Sequence, residues 1–227
     1  MAELRWKPAR LPAREPIDGS TVTLEPLDPN RHAGRLYSAV AGADELWQFL
    51  PYGPFEDEAA FNAWITGCAA STDPLFYAIV DRASGEPRGL GSYLRMSTQH
   101  GVIEIGHLLF SPSLQRTRHA TEAIYLWSRH AFDDLGYRRL EWKCNALNVP
   151  SRRAAERFGF TFEGVFRQHM VVKDQNRDTA WYSIIDGEWP ARRAAFEAWL
   201  SPENFDPAGR QRRSLAELRN GIEAAAG

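Results

Sequence analysis

The sequence has few cysteines, no long apolar run and no dominant charge sign, and each shortage excludes a class of protein. Its two cysteines, Cys68 and Cys144, make no disulfide framework and lack metal-ligand spacing. No apolar run has membrane-spanning length, and the N-terminal MAELRWKPARLPAREP lacks the apolar centre of a signal peptide. A net charge of -2, with both signs well mixed, argues against general nucleic-acid binding and against a polybasic membrane anchor. We therefore expect a reduced, cytoplasmic protein that binds no metal, nucleic acid or membrane.

Glycine is missing from the turn where it would be most informative. The stretch SPSLQRTRHATEA, residues 111–123, connects a predicted strand to a predicted helix. The start of a helix presents unpaired N–H groups and partial positive charge, which together bind anions. Residues 115–121 therefore predict a phosphate site, provided that the Arg118 and His119 side chains point away; Ala120 is small and Thr121 can donate a hydroxyl. The alternative is a solvated basic loop. The chain contains neither a P-loop motif nor Gly-x-Gly-x-x-Gly after a strand, which argues against the common nucleotide-binding sites.

The chain has 227 residues, of which 44% are hydrophobic, enough for one core. Residues 1–19, with three prolines and several charges, predict a loosely structured arm. Residues 20–200 predict one domain, and residues 201–227 a tail with a short helix.

The alternation of apolar and polar residues predicts a mixed sheet with helices on both faces, because hairpins are followed by strand–helix crossovers. The predicted strands are 21–27, 75–81, 87–96, 101–110, 138–145, 160–173 and 178–186. One predicted helix begins after the Asp28 cap. The other predicted helices span 43–50, 56–71, 120–135, 148–159 and 189–200.

Two motifs at a fixed separation resemble one enzyme superfamily. The strand VIEIGHLLFSP followed by QRTRHA, and the downstream NVPSRRAAERFGFTFEGVFRQ, are similar to the GNAT acyltransferases. The second segment, with Asn148, Ser151, Gly159-Phe160 and Glu163-Gly164, resembles the branch of ribosomal-protein N-acetyltransferases (RimJ/RimL type). The resemblance covers about residues 20–187, although Arg118 and Ala120 occupy the positions where this superfamily usually has glycine.

This resemblance implies a mostly antiparallel sheet that is splayed between strands 101–110 and 138–145. It implies that acetyl-CoA or another acyl-CoA is a co-substrate, that the acyl group passes directly to an amine, and that a homodimer can form. The cofactor-binding residues implied are Leu109, Phe110, Gln115, Arg116, Thr117, Arg118, His119, Ala120, Thr121, Asn148 and Ser151.

Acyl transfer to an amine needs a base, because an α-amino group titrates near 8 and lysine near 10.4. Glu104 is the first candidate, and its alternative role is a sheet carboxylate paired with an arginine. His107 is the second candidate, and its alternative role is a packed histidine. Because the two differ by three positions, a regular strand would direct them to opposite faces unless a bulge intervenes.

The leaving thiolate needs a hydrogen-bond donor, and Ser151 is the candidate. Asn148 is expected to orient pantetheine or a water, and the alternative role of both residues is helix capping. The expected amine-binding residues are Trp47, Tyr52, Phe55 and His169, although the aromatic ones could equally fix their loop to the core.

The amine could be a small amine, an amino acid or a peptide N-terminus. Two rival functions remain open at this point. One is a CoA-binding regulatory module without turnover. The other is a protein-interaction domain that uses the C-terminal tryptophans and the GRQRR segment.

Overall fold

The computed structural model describes residues 6–226, and the strands in this part of the chain form one mixed sheet. They are β1 (Ile17–Asp18), β2 (Val22–Pro26), β3 (Leu75–Asp81), β4 (Pro87–Ser97), β5 (Val102–Phe110), β6 (Arg139–Asn145), β7 (Thr161–Val172) and β8 (Gln175–Ile185). The spatial order is β1-β2-β3-β4-β5-β6-β8-β7. Neighbours are antiparallel except for the parallel pair β5–β6. The predicted mostly antiparallel sheet is confirmed; the two-residue strand β1 was not predicted.

The first four helices begin after a residue whose side chain caps them, whereas the fifth has no side-chain cap. They are α1 (Pro29–Val40), α2 (Glu58–Ala70), α3 (Arg118–Arg129), α4 (Val149–Arg157), α5 (Trp189–Leu200) and α6 (Leu215–Ala226). Asp28 caps α1 and Asp57 caps α2, each accepting a hydrogen bond from an amide of the first turn. The predicted helix before Pro51 is only a short 3-10 turn, Asp44–Trp47. None of these helices is long and apolar enough to cross a membrane.

The sheet carries a hydrophobic core on each face, as period-two alternation requires. Tyr77 and Ile79 of β3 join the core that contains α3, α5 and α6, whereas Phe76 and Ala78 join the core formed with α1 and α2. The prediction of helices on both faces is therefore confirmed.

The N-terminal segment has little regular structure but is not loose within residues 6–19. The amide of Ala9 donates to the carbonyl of Thr98, and the hydroxyl of Tyr77 donates to the carbonyl of Ala13. At the other end, α6 packs against α5, and its Leu215 and Leu218 are buried. Both terminal segments therefore contribute to the core on the α3 face.

The sheet opens between β5 and β6. Their parallel pairing runs from Val102 opposite Arg139 to Ile105 opposite Trp142 and goes no further. Beyond it, β5 bends at His107, which has a φ of 53°, and the register with β4 shifts. Residues 106–110 therefore present an edge that β6 does not cover.

Candidate active site

The opening between β5 and β6 has two differently built sides. We call the side that carries α3 and α4 the α3 side, and the side that carries α1, α2 and the β7–β8 hairpin the α1–α2 side. Trp142 and Cys144 of β6 face the α3 side, since both belong to its core. Lys143, between them in sequence, faces the α1–α2 side and contacts Glu104 there. A group in the opening would thus be accessible from both sides.

The turn before α3 exposes backbone amides rather than side chains. Thr117 caps the helix, and its hydroxyl accepts a hydrogen bond of 3.2 Å from the amide of Ala120. The amides of Arg118 and His119 come before the first intrahelical hydrogen bond and point out of the helix start. The left-handed residue of the turn is Arg116, with a φ of 60°. Glycine at position 118 is therefore not needed for the backbone conformation.

The basic side chains of this turn bind elsewhere in the protein, as a phosphate site on the backbone requires. The guanidinium of Arg118 donates to the carbonyl of Leu200 and lies 5.1 Å from the centre of the Phe205 ring. The Nε2 atom of His119 lies 3.9 Å from a carboxylate oxygen of Asp81. Both point away from the helix start.

Two further contacts hold this region together. Gln115 Nε2 donates to the carbonyl of Phe110 over 3.1 Å, which ties the turn to the end of β5. Arg157 Nη1 donates to the hydroxyl of Thr121 over 3.1 Å. Sequence reasoning missed Arg157, because nothing in the α4 pattern indicates that it reaches α3.

Ser151 lies on the α3 side, beside the end of the β5–β6 pairing. Its hydroxyl accepts a hydrogen bond of 3.0 Å from the indole of Trp142, and its amide donates to the Asn148 side chain, which caps α4. The expected capping role of Asn148 is therefore present. Burial raises the pKa of the Cys144 thiol. Cys144 is thus an interior thiol rather than an activated nucleophile.

The bend in β5 brings Glu104 and His107 to the same side. A bulge lies between them, so the strand is not regular there. Opposite faces were expected only for a regular strand, and that expectation therefore does not hold. His107 Nδ1 lies 2.8 Å from the hydroxyl of Tyr52, and the two rings stack at 5.8 Å. Phe76 covers the His107 ring at 5.2 Å.

This environment keeps His107 uncharged at neutral pH. Burial, followed by the positive charges of Arg95 and Arg177, lowers the pKa of His107 to about 4. Burial also raises the pKa of Tyr52 far above its ordinary value. The pair is therefore a neutral imidazole hydrogen-bonded to a protonated phenol. If Nδ1–H donates to the phenol, Nε2 has a free lone pair.

Glu104 is almost fully buried and already has two cationic partners. Its carboxylate accepts from Arg95 Nη1 at 2.6 Å and lies 2.9 Å from Lys143 Nζ. Lys143 also contacts Glu141 at 2.7 Å and lies 3.9 Å from the centre of the Trp181 ring. The contact between Glu104 and Arg95 matches the alternative role expected for Glu104, a sheet carboxylate paired with an arginine.

The predicted aromatic residues divide into two groups. Trp47 is buried and packs at 5.3 Å against Phe55, so both fix their loop to the α1–α2 core. Tyr52 alone among them contacts His107. His169 lies on the hairpin, where its Nδ1 is 2.9 Å from the hydroxyl of Thr179.

The β7–β8 hairpin reaches the aromatic loop from the other direction. Lys173 Nζ at its tip donates to the carbonyl of Trp47 over 2.8 Å. The hairpin and the loop thereby bound the α1–α2 side together. Sequence reasoning missed Arg95, Lys143 and Trp181 on this side; the alternation of charged and apolar residues in RLEWKCN could have indicated Lys143.

Comparison with known proteins bears on this geometry. The family model of the GNAT acetyltransferase domain matches residues 21–161. A GCN5-related N-acetyltransferase from Brucella melitensis is 48% identical, with a TM-score of 0.93 over 95% of this chain and 99% of that chain. A probable GNAT acetyltransferase from Chromobacterium violaceum is also 48% identical, with a TM-score of 0.79 over 84% of this chain and 96% of that chain.

More distant structures share the fold alone. An acetyltransferase from Salmonella typhimurium, described as modifying the N-terminal serine of ribosomal protein L7/L12, is 22% identical. It has a TM-score of 0.65 and covers 75% of this chain and 99% of that chain. No curated protein sequence matches the chain.

Proposed function

Because this chain belongs to the GNAT acetyltransferase family and is an N-acetyltransferase, we propose that it transfers acetyl from acetyl-CoA directly to a primary amine. The observation that carries the proposal is the opening of the sheet after Ile105 and Trp142, beside the start of α3. The opening can accept an extended pantetheine chain, and the helix start can accept an anion.

The α3 side fits acyl-CoA. The amides of Arg118 and His119 are available for the diphosphate, and Ala120 keeps the approach to the backbone open. The free edge of β5 near Leu109 and Phe110 offers backbone groups to the pantetheine amides. The co-substrate supplies the thioester carbonyl. The protein holds that carbonyl in place and supplies the groups that donate and accept protons.

His107 is the proposed base. With a pKa lowered to about 4, its imidazole is uncharged at neutral pH and is therefore an open, though weak, acceptor for the proton that the amine loses as it attacks the thioester. Tyr52 fixes the ring. Glu104, held by Arg95 and Lys143, places a carboxylate on the same side of the opening.

Ser151 is the proposed donor to the departing sulfur. Its hydroxyl accepts from Trp142, which leaves its own proton available on the α3 side. The tetrahedral oxyanion needs a backbone N–H, and the uncovered edge of β5 is the nearest source.

The remaining expectations are also proposals. A peptide N-terminus among the amine acceptors, as in the RimJ/RimL branch, and a homodimer rest on resemblance. A cytoplasmic location rests on the two cysteines, which make no disulfide framework. Family membership favours the enzyme over the regulatory module and the interaction domain.

An amine panel tests the function. The protein is mixed with acetyl-CoA and small amines, amino acids or short peptides, and thiol release is recorded, while calorimetry measures acetyl-CoA binding. We expect binding and release with at least one amine. Binding without release for any amine would support the regulatory module instead, and absence of binding would support the interaction domain. Ser151→Ala should lower turnover more than it weakens acetyl-CoA binding.

A further inference from the structure

Two hydrogen-bond donors on the α1–α2 side have no hydrogen-bond acceptor within residues 6–226. They are Nε of Arg177 and Nε1 of Trp181, and both atoms are enclosed. Enclosed donors in native proteins are nearly always paired, so an unpaired one needs an explanation. Five other enclosed side-chain atoms of residues 6–226 are also unpaired, but these two belong to one strand, β8, beside the opening.

The two side chains face the same way. Residues 177, 179 and 181 are every second residue of β8, so their side chains lie on one face of the sheet. Ala180 and Tyr182 lie on the other face, in the core that contains α3. The Thr179 hydroxyl is hydrogen-bonded to His169 on the hairpin, and the Trp181 ring lies 4.4 Å from the Phe166 ring, tilted by 32°. Arg177 and Trp181 therefore lie on the side of the opening that carries His107.

No carboxylate of the described chain balances Arg177. The acid beside it, Glu104, already contacts Arg95 and Lys143. Its sequence neighbour Asp178 accepts from the amide of Gln168 and the side chain of Asn176. A half-buried cation without a counter-ion is costly, and here the positive charge of Arg95 adds repulsion.

The ligand that such a site takes must accept hydrogen bonds and carry negative charge. An indole N–H and a guanidinium are donors only, and an ionised carboxylate accepts only. On this basis, which rests on the proposed function, we propose that Arg177 and Trp181 bind a carboxylate carried by one of the two substrates. Its source is either an amine acceptor that bears a carboxylate, such as an amino acid, or an acyl group that bears one.

Matched substrates separate the two sources. With acetyl-CoA, amino acids are compared with their carboxamides; with an amine that lacks a carboxylate, such as tyramine, succinyl-CoA is compared with acetyl-CoA. We expect kcat/KM to favour the carboxylate member of one pair by about 10- to 100-fold, the range of a hydrogen bond to a charged group. The pair that shows the preference identifies the source. Equal rates in both pairs would overturn the proposal.

Variants test the assigned residues. Arg177→Gln should abolish the preference, and Trp181→Phe, which keeps the ring but loses the N–H, should reduce it. Arg167→Gln is the matched control, because Arg167 is an exposed arginine of the same hairpin and should leave both rate and preference unchanged. A preference that survives in Arg177→Gln would contradict the assignment.

Stability gives a readout that does not depend on turnover. Succinate should raise the urea midpoint of the wild type more than neutral succinamide does at equal ionic strength, and Arg177→Gln should remove the difference. Without ligand, Arg177→Gln should not lower the midpoint, because it removes an uncompensated charge. If no substrate pair releases thiol, the proposed function fails, but the succinate experiment still tests the carboxylate site. If succinate does not raise the urea midpoint of the wild type, the proposed carboxylate site is overturned.

Discussion

The two sides of the opened sheet are built from different parts of the chain. On the α3 side, the basic residues of the turn contact the protein itself, Arg118 with Leu200 and His119 with Asp81, and the backbone is left for a ligand. On the α1–α2 side, β6 and β8 are paired along their length, and the side chains of His107, Arg177 and Trp181 are left for a ligand. A common co-substrate suits backbone recognition, whereas a particular amine requires specific side chains.

The largest expected effect is on the α1–α2 side. His107→Gln keeps a polar partner for Tyr52 but cannot accept a proton, so kcat should fall by about 100-fold or more. Acetyl-CoA affinity, measured by calorimetry, should be unchanged, because His107 lies away from the start of α3. Tyr52→Phe, which only frees the ring, should cost less. Full activity in His107→Gln would shift the base to another group.

The second-largest expected effect concerns the α3 side alone. His119→Glu places a carboxylate in the first turn of α3, where it repels a diphosphate. The dissociation constant for CoA should rise by about 10- to 100-fold, equivalent to about 1.4–2.8 kcal/mol. The free energy of unfolding should change little. The helix dipole favours an acid at this position by about 0.3–1 kcal/mol, whereas the negative charge of Asp81 repels the new carboxylate. His119→Gln is the neutral control. Unchanged affinity in His119→Glu would place the diphosphate elsewhere.

The pH profile sharpens the description of the α1–α2 side. Since the pKa of His107 is lowered to about 4, its imidazole is neutral above that value. At saturating acetyl-CoA, kcat/KM for the amine should show no inflection near 6.5, the ordinary histidine value. An inflection there that disappears in His107→Gln would contradict the buried environment of His107.

The same shift has a consequence for stability. Between about pH 4 and 6.5 the unfolded chain binds a proton at His107 that the folded protein does not. The free energy of unfolding should therefore fall as the pH decreases through this window, and urea titrations should show a smaller decrease in His107→Gln.

The smallest effects concern the missing glycine. Arg116 is left-handed, so Arg116→Gly should stabilise the protein by about 1 kcal/mol. Arg118→Gly removes the contact with Leu200 and should destabilise it by about 1 kcal/mol. Urea titration measures both. The reverse order would mean that position 118 is the residue under strain.

The backbone elements of the α3 side were easier to predict than the side-chain contacts of the α1–α2 side. Period-two alternation predicts β5 and β6, and Asn148 is a local capping signal for α4. The Thr117 cap was not predicted, and α3 begins at Arg118, two residues before the expected start. The bulge at His107 is a non-local feature, because β4 and the packing of Tyr52 and Phe76 determine it.

The charge partners on the α1–α2 side were equally hard to infer. Glu104, Arg95 and Lys143 lie on three different strands, and only the register of the sheet brings them together. The short helix predicted before Pro51 is likewise only a 3-10 turn, Asp44–Trp47.

The most direct test is diffraction from crystals grown with coenzyme A. We expect the diphosphate to contact the amides of Arg118 and His119, and pantetheine to run between β5 and β6 toward His107 and Ser151. Coenzyme A bound at any other surface, with the opening filled by the chain's own side chains, would contradict it.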